Sequence, residues 1–136
     1  MPDFNNDLGG LRLNLLDDDV VTRAYLSEAL RQRGAGVDES ADGFEALAMI
    51  RKRAVHSQPY HAVIADLMMP EMSGFEFIES LRRRRWGQDL PVIVLSAHSE
   101  SDNVIRCAAH NVQGFVVKPV DLDVMAKKIL SVAPPV

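Results

Sequence analysis

Apolar residues in this chain fall into short compact runs, separated by longer stretches in which they recur every three or four positions. Leu11–Leu16 (LRLNLL), His61–Asp66 (HAVIAD), Pro91–Ser96 (PVIVLS) and Gly114–Val117 (GFVV) have the length of strands. Within them AVIA, VIVL and GFVV are continuously apolar, as strands covered on both faces must be. A further strand over Val37–Ser40 rests only on its place between two helical patterns. Ala35, Gly36 and Asp38 stand where larger apolar residues would serve, so this edge of the sheet is expected to be poorly ordered.

The intervening stretches read as helices. Thr22–Arg33 carries Leu26, Ala29 and Leu30 at helical spacing and ends at Gly34 and Gly36. Asp42–Arg53 presents Phe44, Leu47, Ala48 and Ile50 as its expected inner face. Phe75–Arg85 closes on four arginines, where positive charge suits the C-terminal end of a helix dipole. Glu100–His110 and Leu122–Leu130 complete the set, the last with Asp121 as N-cap. Five strands alternating with five helices predict an α/β fold, a doubly wound (βα)5 unit around a five-stranded parallel sheet.

At 136 residues the chain suits one domain, and 47% hydrophobic with 25% charged residues is ordinary for a globular protein. The expected organisation is a flexible N-terminal segment over 1–10, a folded domain over 11–131 and a short tail over 132–136. A formal charge of −4 offers no electrostatic case for nucleic acid. Cys107 is the single cysteine, so no internal disulfide can form. The start, MPDFNNDLGG, lacks the basic and apolar regions of a signal peptide, and no apolar run approaches a membrane span. These features predict a cytoplasmic protein without membrane attachment.

In parallel α/β sheets ligands bind beyond the carboxyl ends of the strands. Past the first strand stand Asp17, Asp18 and Asp19; past the third, Asp66; past the fourth, Ser96 and Ala97; past the fifth, Lys118 and Pro119. Three adjacent aspartates repel one another, and their charged forms persist either in water or around a cation. Two of them together with Asp66 make a nest of hard oxygen ligands suited to Mg²⁺. A lysine and a hydroxyl at the same rim are groups that hold a phosphoryl oxygen.

The segments LLDDD, DLMMPEMSG, VLSAHS and FVVKP, in this order and on these elements, resemble the receiver domain of two-component response regulators. The similarity spans about Leu11 to Leu130, and the chain is close in size to single-domain chemotaxis-type regulators. It implies the flavodoxin-like strand order 2-1-3-4-5. It implies Asp66 as phosphoacceptor for a phosphoryl group from a histidine kinase or phosphotransfer protein. Asp18, Asp66 and the backbone carbonyl of Met68 would ligate Mg²⁺, with Asp17 acting through water. Lys118 would pair with phosphoryl oxygens, and the backbone N–H groups of Met68 and Ala97 would cradle them. Ser96 and Phe115 would be the switch residues, and the Lys118–Pro119 peptide would be cis. Asp19 falls on a variable position and is expected in solvent.

The resemblance further implies a switch rather than a dedicated enzyme. It would have weak phosphotransfer activity and slow autodephosphorylation, and would act on a downstream protein through the last two helices and the fifth strand, with a homodimer compatible. Met68, two residues past Asp66, offers only a weakly accepting thioether to an attacking water. Phe115 brings an aromatic ring without a hydroxyl.

Rival readings are weaker. DDDVV also resembles the first motif of haloacid-dehalogenase-type phosphatases, with Asp17 as nucleophile. That family needs a further acidic cluster beyond the lysine, and only Asp121 and Asp123 follow Lys118. A receiver-like module without chemistry would lack the acceptor or the lysine, and both are present. His56, His61, His98 and His110 lack zinc-ligand spacing. Arg82–Arg85 reads as a solvated helix end, Trp86 as packing beside it, Cys107 as a small residue of a helical pattern, and Met68, Met69 and Met72 as local packing.

Overall fold

The computed structural model describes residues 6–67, 69, 72–97 and 112–133. Five parallel strands form one sheet: β1 (Arg12–Leu16), β2 (Gly36–Ser40), β3 (Ala62–Asp66), β4 (Val92–Ser96) and β5 (Gly114–Val117). Their order is β2-β1-β3-β4-β5, the flavodoxin-like order. The described helices are α1 (Val20–Gln32), α2 (Gly43–Val55), α3 (Gly74–Arg82) and α4 (Leu122–Val132). The helix expected over Glu100–His110, with Cys107 and His110, lies outside the described residues, as do Met68 and His98.

The two-residue alternation of each strand divides the core into two layers. Leu13 and Leu15, Ala62 and Ile64, Ile93 and Leu95, and Val116 face α1 and α4, where Leu26, Leu30, Met125 and Ile129 cover them. Leu16, Val63 and Ala65, and Val92 and Val94 face the other way, onto Ala46 and Ile50 of α2 and Phe77, Ile78 and Leu81 of α3. This explains why β3 and β4 are apolar up to their last residues, Asp66 and Ser96: every residue of both strands is buried.

Several expectations need correction. Within residues 6–10, ahead of β1, the chain makes contact with the packed body. Leu8 is fully buried in the α1/α4 layer and its N–H donates to Arg33 O at 2.9 Å. At the other end α4 runs to Val132 and Ala133 is buried, so the fold extends past residue 131.

The weak strand β2 pairs with β1 along its full length. Polar side chains attach it where apolar bulk is missing. Ser40 Oγ donates to Asn14 Oδ1 at 2.7 Å inside the core. Asp38 accepts from Tyr60 Oη at 2.7 Å and from Arg53 Nη2 at 3.0 Å.

The inner face of α2 is rotated from the expected one. Ala46 and Ile50 are buried with Gly43, while Phe44 is 59% exposed and Ala48 lies in solvent. The helix sits so close to the loop before α3 that a Cβ at residue 43 would meet the Met72 sulfur, so the small residue, not the ring, faces inward.

The arginine run is not one solvated helix end. α3 stops at Arg82, and a 3-10 turn follows at Arg85–Gly87. Arg82 folds back to donate from Nη1 to Gly87 O (2.7 Å) and Leu90 O (2.8 Å) and from Nη2 to Gln113 Oε1 (3.2 Å). Burial lowers the pKa of this guanidinium from its ordinary value. Trp86 packs half-buried against the α2/α3 layer, as do Met69 and Met72.

Candidate functional site

Each strand delivers its polar residue to one rim because the hydrogen-bond ladder continues a step past the strand. Asp17 N–H donates to Ser40 O (3.1 Å), which carries the β1–β2 ladder into the aspartate run. Lys118 N–H donates to Ser96 O (2.7 Å), which does the same for β4 and β5. Asp66 is the last residue of β3 and Ser96 the last of β4, and both are buried.

The three aspartates separate into three environments. The Asp17 carboxylate is fully buried, with Oδ1 accepting the Asp19 N–H at 2.9 Å. Asp18 is exposed. Asp19, also exposed, is the N-cap of α1: its carboxylate accepts from Thr22 N–H at 3.2 Å and from the Thr22 hydroxyl. These bonds lower its pKa, the hydroxyl contributing most.

Carboxylate oxygens of Asp17, Asp18 and Asp66 lie within 4.8 Å of one another. Lys118 reaches in from β5, with Nζ 3.3 Å from Asp66 Oδ2 and 3.5 Å from Asp17 Oδ2. One ammonium therefore faces three carboxylates, and two formal negative charges are left unbalanced. Burial is the main cause that raises the Asp17 pKa above 3.8, with the neighbouring Asp66 charge adding to it and the Asp19 N–H and Lys118 opposing. For Lys118, burial alone would lower the pKa, but the Asp66 and Asp17 carboxylates together outweigh it and the net shift is upward. The donor set is all carboxylate oxygen, with no imidazole or thiolate among the described residues of the cluster, and it fits a hard divalent cation.

The loop after β3 is held by close backbone approach. Gly74 N–H donates to Leu67 O (3.0 Å), and a Cβ at residue 74 would stand 2.6 Å from Asp66 O and 2.7 Å from Leu67 Cα. A side chain there would displace the Asp66 carbonyl, which gives the glycine of MSG a steric reason. Ser73 and Glu76 form a capping box that starts α3 at this point.

Of the residues expected from sequence, Asp17, Asp18, Asp66 and Lys118 converge. Ser96 is 2% exposed beside them, and Ala97 follows it on the surface. Phe115 is half-buried against the α2/α3 layer. The Lys118–Pro119 peptide is cis. Met68 lies outside the described residues. Sequence reading passed over Arg23, whose guanidinium donates to Asp17 O at 2.7 Å. Its only sequence signal was a charged residue on the first turns of the helix that follows the acid run.

A parallel α/β sheet in this order, with an acid triad and a lysine at the strand ends, defines a receiver-type phosphorylation domain. The comparison with known families agrees: residues 13–130 match the response regulator receiver domain, and the chain belongs to that family. It is 30% identical to chemotaxis protein CheY of Pseudomonas aeruginosa, over 88% of this chain and 93% of that protein. It is 34% identical to the transcriptional regulatory protein TcrA of Mycobacterium tuberculosis, over 85% of this chain but 43% of that protein. Against Histidine kinase 1 of Arabidopsis thaliana, at 25% identity, it spans 13% of the relative's length. The solved structure of Vibrio cholerae CheY4 matches with a TM-score of 0.82 at 28% identity, over 90% of this chain and 98% of that one. Receiver domains are signalling switches of two-component systems, and this chain is one. No helix among the described residues is long and apolar enough to cross a membrane.

Proposed function

We propose that the chain accepts a phosphoryl group on Asp66 from a phosphohistidine of a histidine kinase or phosphotransfer protein, and that this switches a protein-binding surface. The observation that carries the reading is the position of Lys118 Nζ, 3.3 Å from Asp66 Oδ2 within an acid cluster that includes Asp17 and Asp18. In the reaction an Asp66 oxygen forms the new P–O bond, the donor P–N bond breaks, and the leaving imidazole takes up a proton. Catalysis of this kind is mainly positioning and charge neutralisation. Asp18, Asp66 and the Met68 carbonyl would hold Mg²⁺, with Asp17 acting through a bound water. The ion, when bound, supplies positive charge to the phosphoryl oxygens. Lys118 would pair with the same oxygens, and the N–H groups of Ala97 and Met68 would cradle them.

The new charge on Asp66 draws the Ser96 hydroxyl, and Phe115 moves into the space released. That shifts the population between two packings of the surface formed by the segment before β5, β5 itself and α4. A downstream protein reads that surface, and no direct contact with nucleic acid is involved. Hydrolysis of the acyl phosphate by water returns the switch slowly to rest, and a cytoplasmic location fits a partner that is a histidine kinase.

The test is incubation with acetyl phosphate followed by intact-mass measurement. One phosphoryl adduct is expected with Mg²⁺, and none with chelator or in Asp66→Ala. Full labelling of Asp66→Ala, or labelling unaffected by chelator, overturns the reading.

A further inference from the structure

Mg²⁺ tolerates little deviation from octahedral geometry, so the direction in which Asp18 points is decisive. Asp18 is exposed, and among the described residues no side chain hydrogen-bonds its carboxylate. Its placement therefore depends on the peptide that joins it to Asp17. The Asp17 side of that unit is fixed by Asp17 N–H on Ser40 O and by Asp19 N–H on Asp17 Oδ1. The carbonyl of the Asp17–Asp18 peptide is fixed from α1, where Arg23 Nη1 donates to it at 2.7 Å. The other side of the same guanidinium is tied down: Arg23 Nε donates to Glu39 Oε1 at 3.3 Å, and Glu39 Oε2 accepts Ser27 Oγ at 3.1 Å and Arg31 Nη2 at 3.5 Å. The Arg23 side chain is only 16% exposed, so its orientation is held by packing as well.

We propose that Arg23, clamped by Glu39 of the edge strand, is a positioning residue for the metal site: it fixes the plane of the Asp17–Asp18 peptide and thereby aims the Asp18 carboxylate. The inference rests on the reading that this acid cluster takes Mg²⁺. It assigns a functional reason to the polar, apolar-poor sequence of β2, whose Glu39 holds the guanidinium in place. Groups that orient the ligands of a metal commonly change its affinity by about 10–100-fold when removed.

The experiment is titration calorimetry of Mg²⁺ into the whole chain at fixed ionic strength, with thermal unfolding of the same samples under chelator. Arg23→Met should raise the Mg²⁺ Kd about tenfold. Arg23→Lys, able to reach the carbonyl but not Glu39 as well, should recover part of the affinity. Arg53→Ala removes a partner of Asp38 on the same edge strand without touching Glu39, Arg23 or Asp17, so it should lower the Tm and leave the Kd at the wild-type value. In metal-free protein the Asp18 amide resonance should move in Arg23→Lys and not in Arg53→Ala. If Arg23→Met does not fold, Arg23→Lys and Glu39→Gln carry the same comparison. A wild-type Kd in the Arg23 variants, with only the Tm reduced, overturns the positioning role. Absence of Mg²⁺ binding by the wild type overturns the reading of the site itself and the proposal with it.

Discussion

Lys118 Nζ stands 3.3 Å from Asp66 Oδ2, and the same ammonium is 3.5 Å from Asp17 Oδ2. The lysine ties the last strand of the sheet to the central one, and it offsets only part of the negative charge that the strand ends collect.

The charge imbalance sets a first prediction. A raised Asp17 pKa means that the native state holds this proton at pH values where the unfolded chain, titrating near 3.8, has released it. Its contribution to stability is present at low pH and is lost as pH rises through the native value. Without metal at neutral pH, Asp17 is therefore a strained charge. Asp17→Asn keeps an acceptor for the Asp19 N–H and should stabilise the chelated protein by about 1 kcal/mol. Lys118→Met should destabilise it by about 2 kcal/mol, because two buried carboxylates lose their counter-charge. Urea unfolding under chelator measures both, and destabilisation by Asp17→Asn would contradict this balance.

Arg82 supplies the second prediction. Its Nη1 satisfies the carbonyls of Gly87 and Leu90, and its Nη2 shares Gln113 Oε1 with Val92 N–H. Arg82→Ala leaves these acceptors short of a donor and should cost about 2–3 kcal/mol in urea unfolding, far more than a surface arginine. Arg84→Ala, at an exposed position without a side-chain cap bond, should stay within about 0.5 kcal/mol of wild type. Equal effects from the two would contradict the role given to Arg82.

Acid sensitivity follows from His61. Its Nδ1 accepts the Arg12 N–H at 2.9 Å, and burial, then the Arg12 charge, lower its pKa below 6.5. The unfolded chain takes up the proton first, so the contribution is complete above pH 6.5 and is lost as pH falls through the native value. His61→Asn retains an acceptor and should flatten the fall in Tm between about pH 7 and pH 5. An unchanged slope in the variant would exclude His61 as its source.

The switch makes a fourth prediction. Ser96 ends β4 with almost no exposure, and Phe115 lies opposite Val94 in the β4–β5 register. Beryllofluoride with Mg²⁺ should shift amide resonances from Ser96 and from Gly114 to Val117, as well as those beside Asp66. Shifts confined to Leu67 and its neighbours would show that the site and β5 are not coupled.

The parallel sheet with helices on both faces and the converging strand-end residues were legible in the sequence, because buried parallel strands carry an unbroken apolar signal and their ends carry the polar residues; the strand order followed from the resemblance to receiver domains. β2 was not, since Ser40–Asn14, Asp38–Tyr60 and Glu39–Arg23 replace apolar burial, and such pairings join residues distant in sequence. The inner face of α2 was misread because hydrophobicity favoured Phe44, while the turn of the helix places Gly43 against the Met72 side chain and leaves Phe44 in solvent. The contacts of residues 6–10 escaped notice because they rest on one buried leucine, Leu8, and on an ion pair between Asp7 and the distant Arg33. Arg82 was hidden inside a run of four identical residues whose burial only the fold distinguishes.

The central claim is that Asp66, not a member of the Asp17–Asp19 run, carries the phosphoryl group. Borohydride reduces an acyl phosphate to the alcohol, which converts the modified aspartate to homoserine and marks its position permanently. Protein treated with acetyl phosphate and Mg²⁺, reduced, digested and sequenced by mass spectrometry should contain homoserine at residue 66 and aspartate at residues 17, 18 and 19. Homoserine at residue 17 would contradict the account and point to phosphatase-type chemistry at the end of β1.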